Sequence, residues 1–314
     1  MNSKEQKTRT IIIIVASIIL VISLGFLAYY LIQEKRSADD NDNADHTDTV
    51  MITQATVPET TTVSETTTTE ATTVLEPLVE LDSMKSFIDD NPDTAGWIKV
   101  GGTSIDNVVV HCDNNDYYLN HDFYGRNSQP GTVFADFRCV VNDYDFRQSD
   151  NIILYGHNQA DGTMFGTLQK YKITKQNTSK FDFYLQHPTF TFSNLYEEYT
   201  YKIIALFVCE VNPEHTRDGV IFDYQNYIRF GSKEYTYEQF MQNVTERSEI
   251  ITGVDVQEGD QFMTLSTCSN EFEPSRFIVI GRKVREGESP EVDTSLAKLN
   301  PDAKEPDWNF IYGN

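Results

Sequence analysis

Residues 11–32, IIIIVASIILVISLGFLAYYLI, run twenty-two positions without a charge and without a polar face. At about 1.5 Å rise per residue, such a helix covers about 33 Å, enough to cross a bilayer core. Lys4, Lys7 and Arg9 precede the run against a lone Glu5, and acids dominate from Asp39 onward. The positive-inside tendency therefore predicts residues 1–10 in the cytoplasm and everything after residue 32 outside. The run exceeds a signal-peptide core and no small-x-small cleavage site follows it, so an uncleaved anchor is expected. Residues 33–75 change character. Thirteen of the residues from 47 to 73 are threonine, and without apolar alternation the run has no face to bury and no way to recover the entropy of ordering. They read as a disordered stalk open to glycosylation.

From residue 76 the pattern becomes that of a folded domain. Leu78, Leu81, Met84 and Ile88 recur at helical spacing until Asn91-Pro92 stops them. After Gly96, nine short runs rich in β-branched and aromatic residues follow: WIKV, NVVVH, GTVFADF, NIILYGH, FTFSN, YTYKIIALFVCEV, GVIFDY, FMTLSTC and RFIVIGRKV. Gly, Asn, Asp and Pro separate them. Two helical stretches interrupt the series, TMFGTLQKYK (163–172) and YTYEQFMQNVTER (235–247), the latter with a stripe of Tyr237, Phe240, Met241 and Val244. Nine strands with few helices predict a mostly β domain over 76–284, a closed or nearly closed antiparallel or mixed barrel. Residues 285–314 hold seven acids, three bases and prolines at 290, 301 and 306. They read as a loose acidic tail, whose aromatic end WNFIYGN is the part able to dock on the barrel.

Charge narrows the partners. The 25 basic and 48 acidic side chains leave a formal charge of −23; residues 1–10 carry +2, so the rest carries −25. Such a surface repels nucleic acid but leaves room for an extended peptide. The four cysteines, Cys112, Cys139, Cys209 and Cys268, form neither a CxxC pair nor a zinc-ligand spacing, so no metal or cofactor is expected. The first three read as buried or partly buried thiols, with a bridge between two of them left open.

Cys268 differs in place. It closes the run MTLSTC and faces the polar stretch SNEFEPS, so its thiol sits at a strand mouth, where a thiolate is chemically available. His157 likewise emerges at the end of NIILYGH, after a glycine that admits close backbone approach. Arg276 opens RFIVIGRKV, and alternation puts it on one face with Ile278 and Ile280. Arg282 shares that face but lies about 20 Å further along the strand, and is expected to be a solvated surface charge. Together Cys268, His157 and Arg276 fit a site on adjacent strand ends: an imidazole to hold the thiol proton, a thiolate nucleophile, and a five-donor fork for an oxyanion. Asp136 and Asp161 are near in sequence, but neither is assigned as an acid orienting the imidazole.

These segments resemble the class B sortases, membrane-anchored cysteine transpeptidases of the Gram-positive cell surface. TLSTC (264–268) matches the TLxTC nucleophile motif, SRFIVIGRKV carries the arginine, and YGHNQADGTMFGTLQKY matches the histidine segment. AGWIKVGGTSIDNVVVHCDNNDYYLNHDFYGRNSQPGTVFADFR (95–138) is similar to the opening of the barrel. The resemblance covers about residues 78–284. It implies a sortase-type closed β-barrel with an N-terminal helix and a long helix before the last two strands, preceded by a single transmembrane helix. It also implies Cys268 as nucleophile, His157 as general acid/base, Arg276 as oxyanion or substrate-positioning residue, and Ser266 as a groove residue that donates to substrate. The expected reaction cleaves a C-terminal sorting signal after threonine through a thioester, then passes the protein to an amino group of a peptidoglycan precursor. The partners implied are surface proteins bearing that signal, the lipid-linked precursor and the plasma membrane. A secreted cysteine peptidase that hydrolyses, or a non-catalytic adhesin on a stalk, are the alternatives. The Thr-rich stalk and the segment beyond Val284 depart from the compact family pattern.

Overall fold

The computed structural model describes residues 79–142, 148–175 and 177–313. The apolar run 11–32 and the Thr-rich stretch lie outside the described residues; among those described, no helix is long and apolar enough to cross a membrane. The first element is α1 (Asp82–Asp90), which buries Met84. Thr94 Oγ1 donates to the Phe87 and Asn91 carbonyls at 2.9 and 2.6 Å, tying the helix end to the first strand.

Eight strands then close a barrel: β1 (Thr94–Val100), β2 (Asp106–Val110), β3 (Val133–Ala135), β4 (Asn151–Tyr155), β5 (Thr189–Ser193), β6 (Glu198–Glu210), β8 (Phe262–Cys268) and β9 (Ser275–Lys283), with a two-residue β7 (Ile250–Ile251) outside it. Their order around the barrel is β1-β2-β3-β4-β8-β9-β6-β5, and β5 pairs back onto β1. The β2–β3 and β4–β8 pairs are parallel and the others antiparallel, so the barrel is mixed. A parallel pair needs a long crossover. The chain from 156 to 261 supplies it for β4 and β8, passing through α2 (Phe181–Gln186), β5, β6 and α3 (Tyr237–Arg247).

Strand β6 shows how the core is built. Tyr201 through Cys209 are all buried, on both faces: one face fills the barrel and the other lies under α3 and its flanking loops. Of the predicted α3 stripe, Phe240 and Val244 are fully buried, and Phe240 meets Phe222, Tyr227, Phe230 and Phe262 at ring distances of 5.1 to 6.4 Å. A capping box fixes the start of α3, with Thr236 and Gln239 satisfying each other's backbone amides.

Three expectations change. GVIFDY joins no ladder; Phe222 and Tyr224 are buried while Val220 is exposed, so its alternation is that of an extended loop pressed onto the barrel. Residues 163–172 form a 3-10 helix over Gly166–Tyr171 only. Residues 285–313 are not loose. β10 (Lys298–Leu299) pairs with β7, and a short helix α4 (Trp308–Tyr312) follows.

That last segment also overturns the expectation for Arg282, which is 1% exposed. Glu288 folds back over it and accepts from Arg282 Nη1 and Nη2 and from Lys202 Nζ, the last at 2.6 Å. The charge is paired from the tail, so the strand alone gave no sign of its burial.

Candidate active site

The register of three neighbouring strands assembles the site. In the parallel β4–β8 pair, Asn151 faces Phe262 and Tyr155 faces Ser266. Extending that offset by two residues brings His157 level with Cys268. In the antiparallel β8–β9 pair Cys268 faces Arg276 directly. Neighbouring strands lie about 4.8 Å apart and level residues share a face. Three side chains, the first and last 119 residues apart in sequence, are thereby brought to one rim. Cys268, His157 and Arg276 all line a cleft of about 400 Å³, together with Asn115, Leu119, Tyr155 and Gln225.

His157 is oriented by a main-chain group. Its Nε2 lies 2.8 Å from the Leu119 carbonyl oxygen, which can only accept, so Nε2 carries a proton and Nδ1 of the neutral ring is left to take one. Neither sequence-neighbouring acid is brought to the imidazole. Asp161 is spent on Thr163. Asp136 is fully buried; burial opposes its charge, but Arg138 and the Tyr155 hydroxyl outweigh that and hold its carboxyl below the usual range. Its oxygens also accept from Asn115 Nδ2 at 3.1 Å and from the Tyr155 hydroxyl at 2.9 Å. Asp136 therefore shapes the cleft wall.

Strand β8 is fixed at its tip, where Cys268 ends it. The Cys268 carbonyl accepts from Asn158 Nδ2 at 2.9 Å and from Gln169 Nε2 at 3.0 Å, and the next carbonyl, of Ser269, accepts from Lys172 Nζ at 2.8 Å. Asn270 then adopts φ 68°, a left-handed turn that asparagine tolerates better than most residues. Cys268 is half-buried and a free thiol. Arg276 donates from Nη1 to the Ser275 carbonyl at 3.0 Å and forms no ion pair among the described residues, so most of its donors remain for a ligand. Ser266 lies in the cleft wall, but it is 1% exposed and its Oγ is 2.8 Å from the Tyr224 hydroxyl. A hydrogen bond to substrate from Ser266 would share that hydroxyl with a buried partner.

The other thiols are held back. Burial pushes Cys139 and Cys209 up to about 12 and raises Cys112 less. Cys209 is level with Arg276 on β6, yet its thiol is sealed under the loop carbonyl of Phe222 at 3.7 Å. Sequence reading missed the Leu119 carbonyl, Asn158, Gln169 and Tyr224. Only Asn158 left a signal, by following His157 directly.

No family model matches the chain. Among known proteins it is similar to sortase B of Listeria monocytogenes, 33% identical over 206 residues, which cover 65% of this chain and 74% of that one. Sortase B of Staphylococcus aureus is 32% identical over 195 residues, 62% of this chain and 71% of the relative. The solved sortase B of Clostridium perfringens matches with a TM-score of 0.53 and 28% identity, covering 64% of this chain and 99% of that chain.

Proposed function

The chain belongs to the sortase B family, and on that premise we propose that Cys268, His157 and Arg276 carry out its reaction. As a member it is a cysteine transpeptidase that acts on a C-terminal sorting signal and transfers the protein to peptidoglycan. The observation that supports these roles is shared placement: an imidazole two residues past the end of β4, a thiol at the tip of β8 and, opposite it on β9, a guanidinium without an ion pair among the described residues all line one open cleft.

In this reading the Cys268 thiol passes its proton to His157 Nδ1, and Sγ attacks the carbonyl carbon of the scissile amide after threonine. The carbonyl electrons move to oxygen, and Arg276 donates to that oxyanion or aligns the peptide beside it. Collapse breaks the C–N bond, and the imidazolium protonates the departing amine. The thioester left on Cys268 is then attacked by an amino group of a peptidoglycan precursor, with His157 taking the amine proton and returning one to sulfur. Ser266 lies against the same groove and is assigned to the peptide backbone. Residues 11–32 form the single-pass anchor in the plasma membrane, with residues 1–10 in the cytoplasm and the barrel outside. That reading rests on the apolar run and its basic flank. Anchoring places the barrel beside both the emerging surface proteins and the lipid-linked precursor, raising their effective concentration.

The test is a product analysis. A peptide library with threonine before the scissile bond is offered to the full chain with and without an amine acceptor. Amine-dependent transfer product is expected; release of free acid alone, whatever amine is present, would refute transpeptidation.

A further inference from the structure

The loop 269–274 joins the nucleophile to the arginine, so its shape sets the spacing of Cys268 and Arg276. It has no regular secondary structure, and its outer side is held by the C-terminal segment. The Phe272 ring sits between His215, at 5.1 Å, and Trp308, at 5.8 Å, edge-on to both. Trp308 stacks on Tyr312 at 6.3 Å, and the Tyr312 hydroxyl donates to the Glu271 carbonyl. Helix α4 therefore grips the loop at two successive residues.

The same helix grips the chain after β6. Asp307 caps α4 by accepting from the Phe310 amide at 3.0 Å and also accepts from Arg217 Nε at 2.6 Å. The Arg217 guanidinium lies 5.0 Å over the Phe310 ring. Beyond Arg217 the chain runs directly to Tyr224, which meets Ser266, and to Gln225 in the cleft wall. The segment leading to α4 is itself fastened by main-chain bonds: Asn300 N to the Glu249 carbonyl at 2.9 Å, and Lys304 N to the Glu246 carbonyl at 2.7 Å. A fixed strap thus ends in a helix that touches both irregular segments beside the cleft.

We propose that Trp308 and Tyr312 are positioning residues for acyl transfer, acting through Phe272 and Glu271 to hold Cys268 and Arg276 in register with the bound peptide. The proposal rests on the catalytic reading of those two residues. An irregular loop carries a large ordering entropy, and reacting groups held loosely by about 1 Å lose much of the benefit of proximity. The strap prepays that ordering before substrate arrives.

The experiment uses the full chain, with the library peptide that acylates the parent best, and compares Trp308→Ala, Trp308→Phe and Tyr312→Phe. Trp308→Ala is expected to lower kcat/KM for acylation about tenfold and to speed amide exchange in 269–275 and 211–222, with β4, β8 and β9 protected as in the parent. Trp308→Phe, which keeps an aromatic face against Phe272, restores most of both. If Trp308→Ala does not fold, Tyr312→Phe decides, because it removes only the bond to Glu271: faster loop exchange with slower acylation supports the strap. Parent-like acylation in the folded variants overturns it, whatever their exchange. A parent chain that forms no acyl product overturns the catalytic reading and the strap with it, so the two failures are distinguishable.

Discussion

Replacing Glu288 by Gln tests whether the C-terminal segment is part of the folded domain. The carboxylate accepts from Arg282 Nη1, from Arg282 Nη2 at 2.7 Å and from Lys202 Nζ at 2.6 Å, and both cations are nearly inaccessible to water. Gln keeps the shape but removes the charge, leaving two buried cations. Removing one partner of a buried pair typically costs about 3–5 kcal/mol. Here Asp260 Oδ2 still lies 4.0 Å from Arg282 Nε, and the Glu288 side chain is 24% exposed. These soften the loss to about 2–4 kcal/mol.

The sign with pH follows from the bonds from Arg282, which outweigh burial and hold the Glu288 carboxyl well below the usual carboxylate range. Its contribution is complete above the unfolded-state value and fades as pH falls through the lowered one. Parent and Glu288→Gln stabilities should therefore differ most near neutrality and converge in acid. Urea unfolding followed by tryptophan fluorescence reads this in the barrel and in the C-terminal segment, since Trp97 lies in β1 and Trp308 in α4. A gap under about 0.5 kcal/mol at neutral pH, or one that widens toward about pH 3, would refute the buried-pair account.

Other consequences are as direct. A Cβ on Gly156 would lie 2.6 Å from Phe165 Cγ, a fully buried ring, so Gly156→Ala should displace the His157 strand end and cut kcat/KM by about a hundredfold, with a folded far-UV spectrum. Parent-like turnover would show that the close approach does not set the histidine. Burial, with the Glu305 carboxylate adding and Lys175 opposing, pushes Glu249 up to about 8. Between the ordinary carboxylate range and pH 8 the folded chain holds a proton that the unfolded chain has lost, so stability falls as pH rises through that window. Glu249→Gln should flatten that slope in unfolding measured across the window; an unchanged slope would exclude Glu249 as its source. Iodoacetamide at neutral pH should label Cys268 and spare Cys139 and Cys209, whose thiols stay protonated in the core; peptide mapping of the adducts checks this, and early labelling of Cys209 would contradict the seal over it.

Much of the barrel was legible because its strands announce themselves locally. Eight of the nine β-rich runs became barrel strands, since period-two and β-branched patterns depend only on neighbours. GVIFDY carried the same pattern without a ladder partner, because burial alternates along any extended chain pressed on a core. Cys268, His157 and Arg276 were legible as residues at or just past strand ends, and neighbouring strand ends suffice to bring them to one cleft: Cys268 pairs with Arg276, and His157 follows β4, the other neighbour of β8. What could not be read are contacts carried by main chain or by distant segments. The Leu119 carbonyl that orients His157 has no side-chain signature. The burial of Arg282 depends on Glu288 folding back six residues later, and α4 meets Phe272 at the end of a segment that pairs β10 with β7 and bonds to Glu246 and Glu249.

Transpeptidation by Cys268 requires a covalent bond to one sulfur. Mass spectrometry of the full chain trapped with the acylating library peptide should place a thioester on the peptide containing Cys268 in the parent. It should find none in Cys268→Ala, and strongly reduced adduct in His157→Ala and in Arg276→Lys, where charge survives but the fork does not. Peptide turnover by Cys268→Ala at the parent rate, or an adduct mapped to Cys112, Cys139 or Cys209 instead, would contradict the assignment.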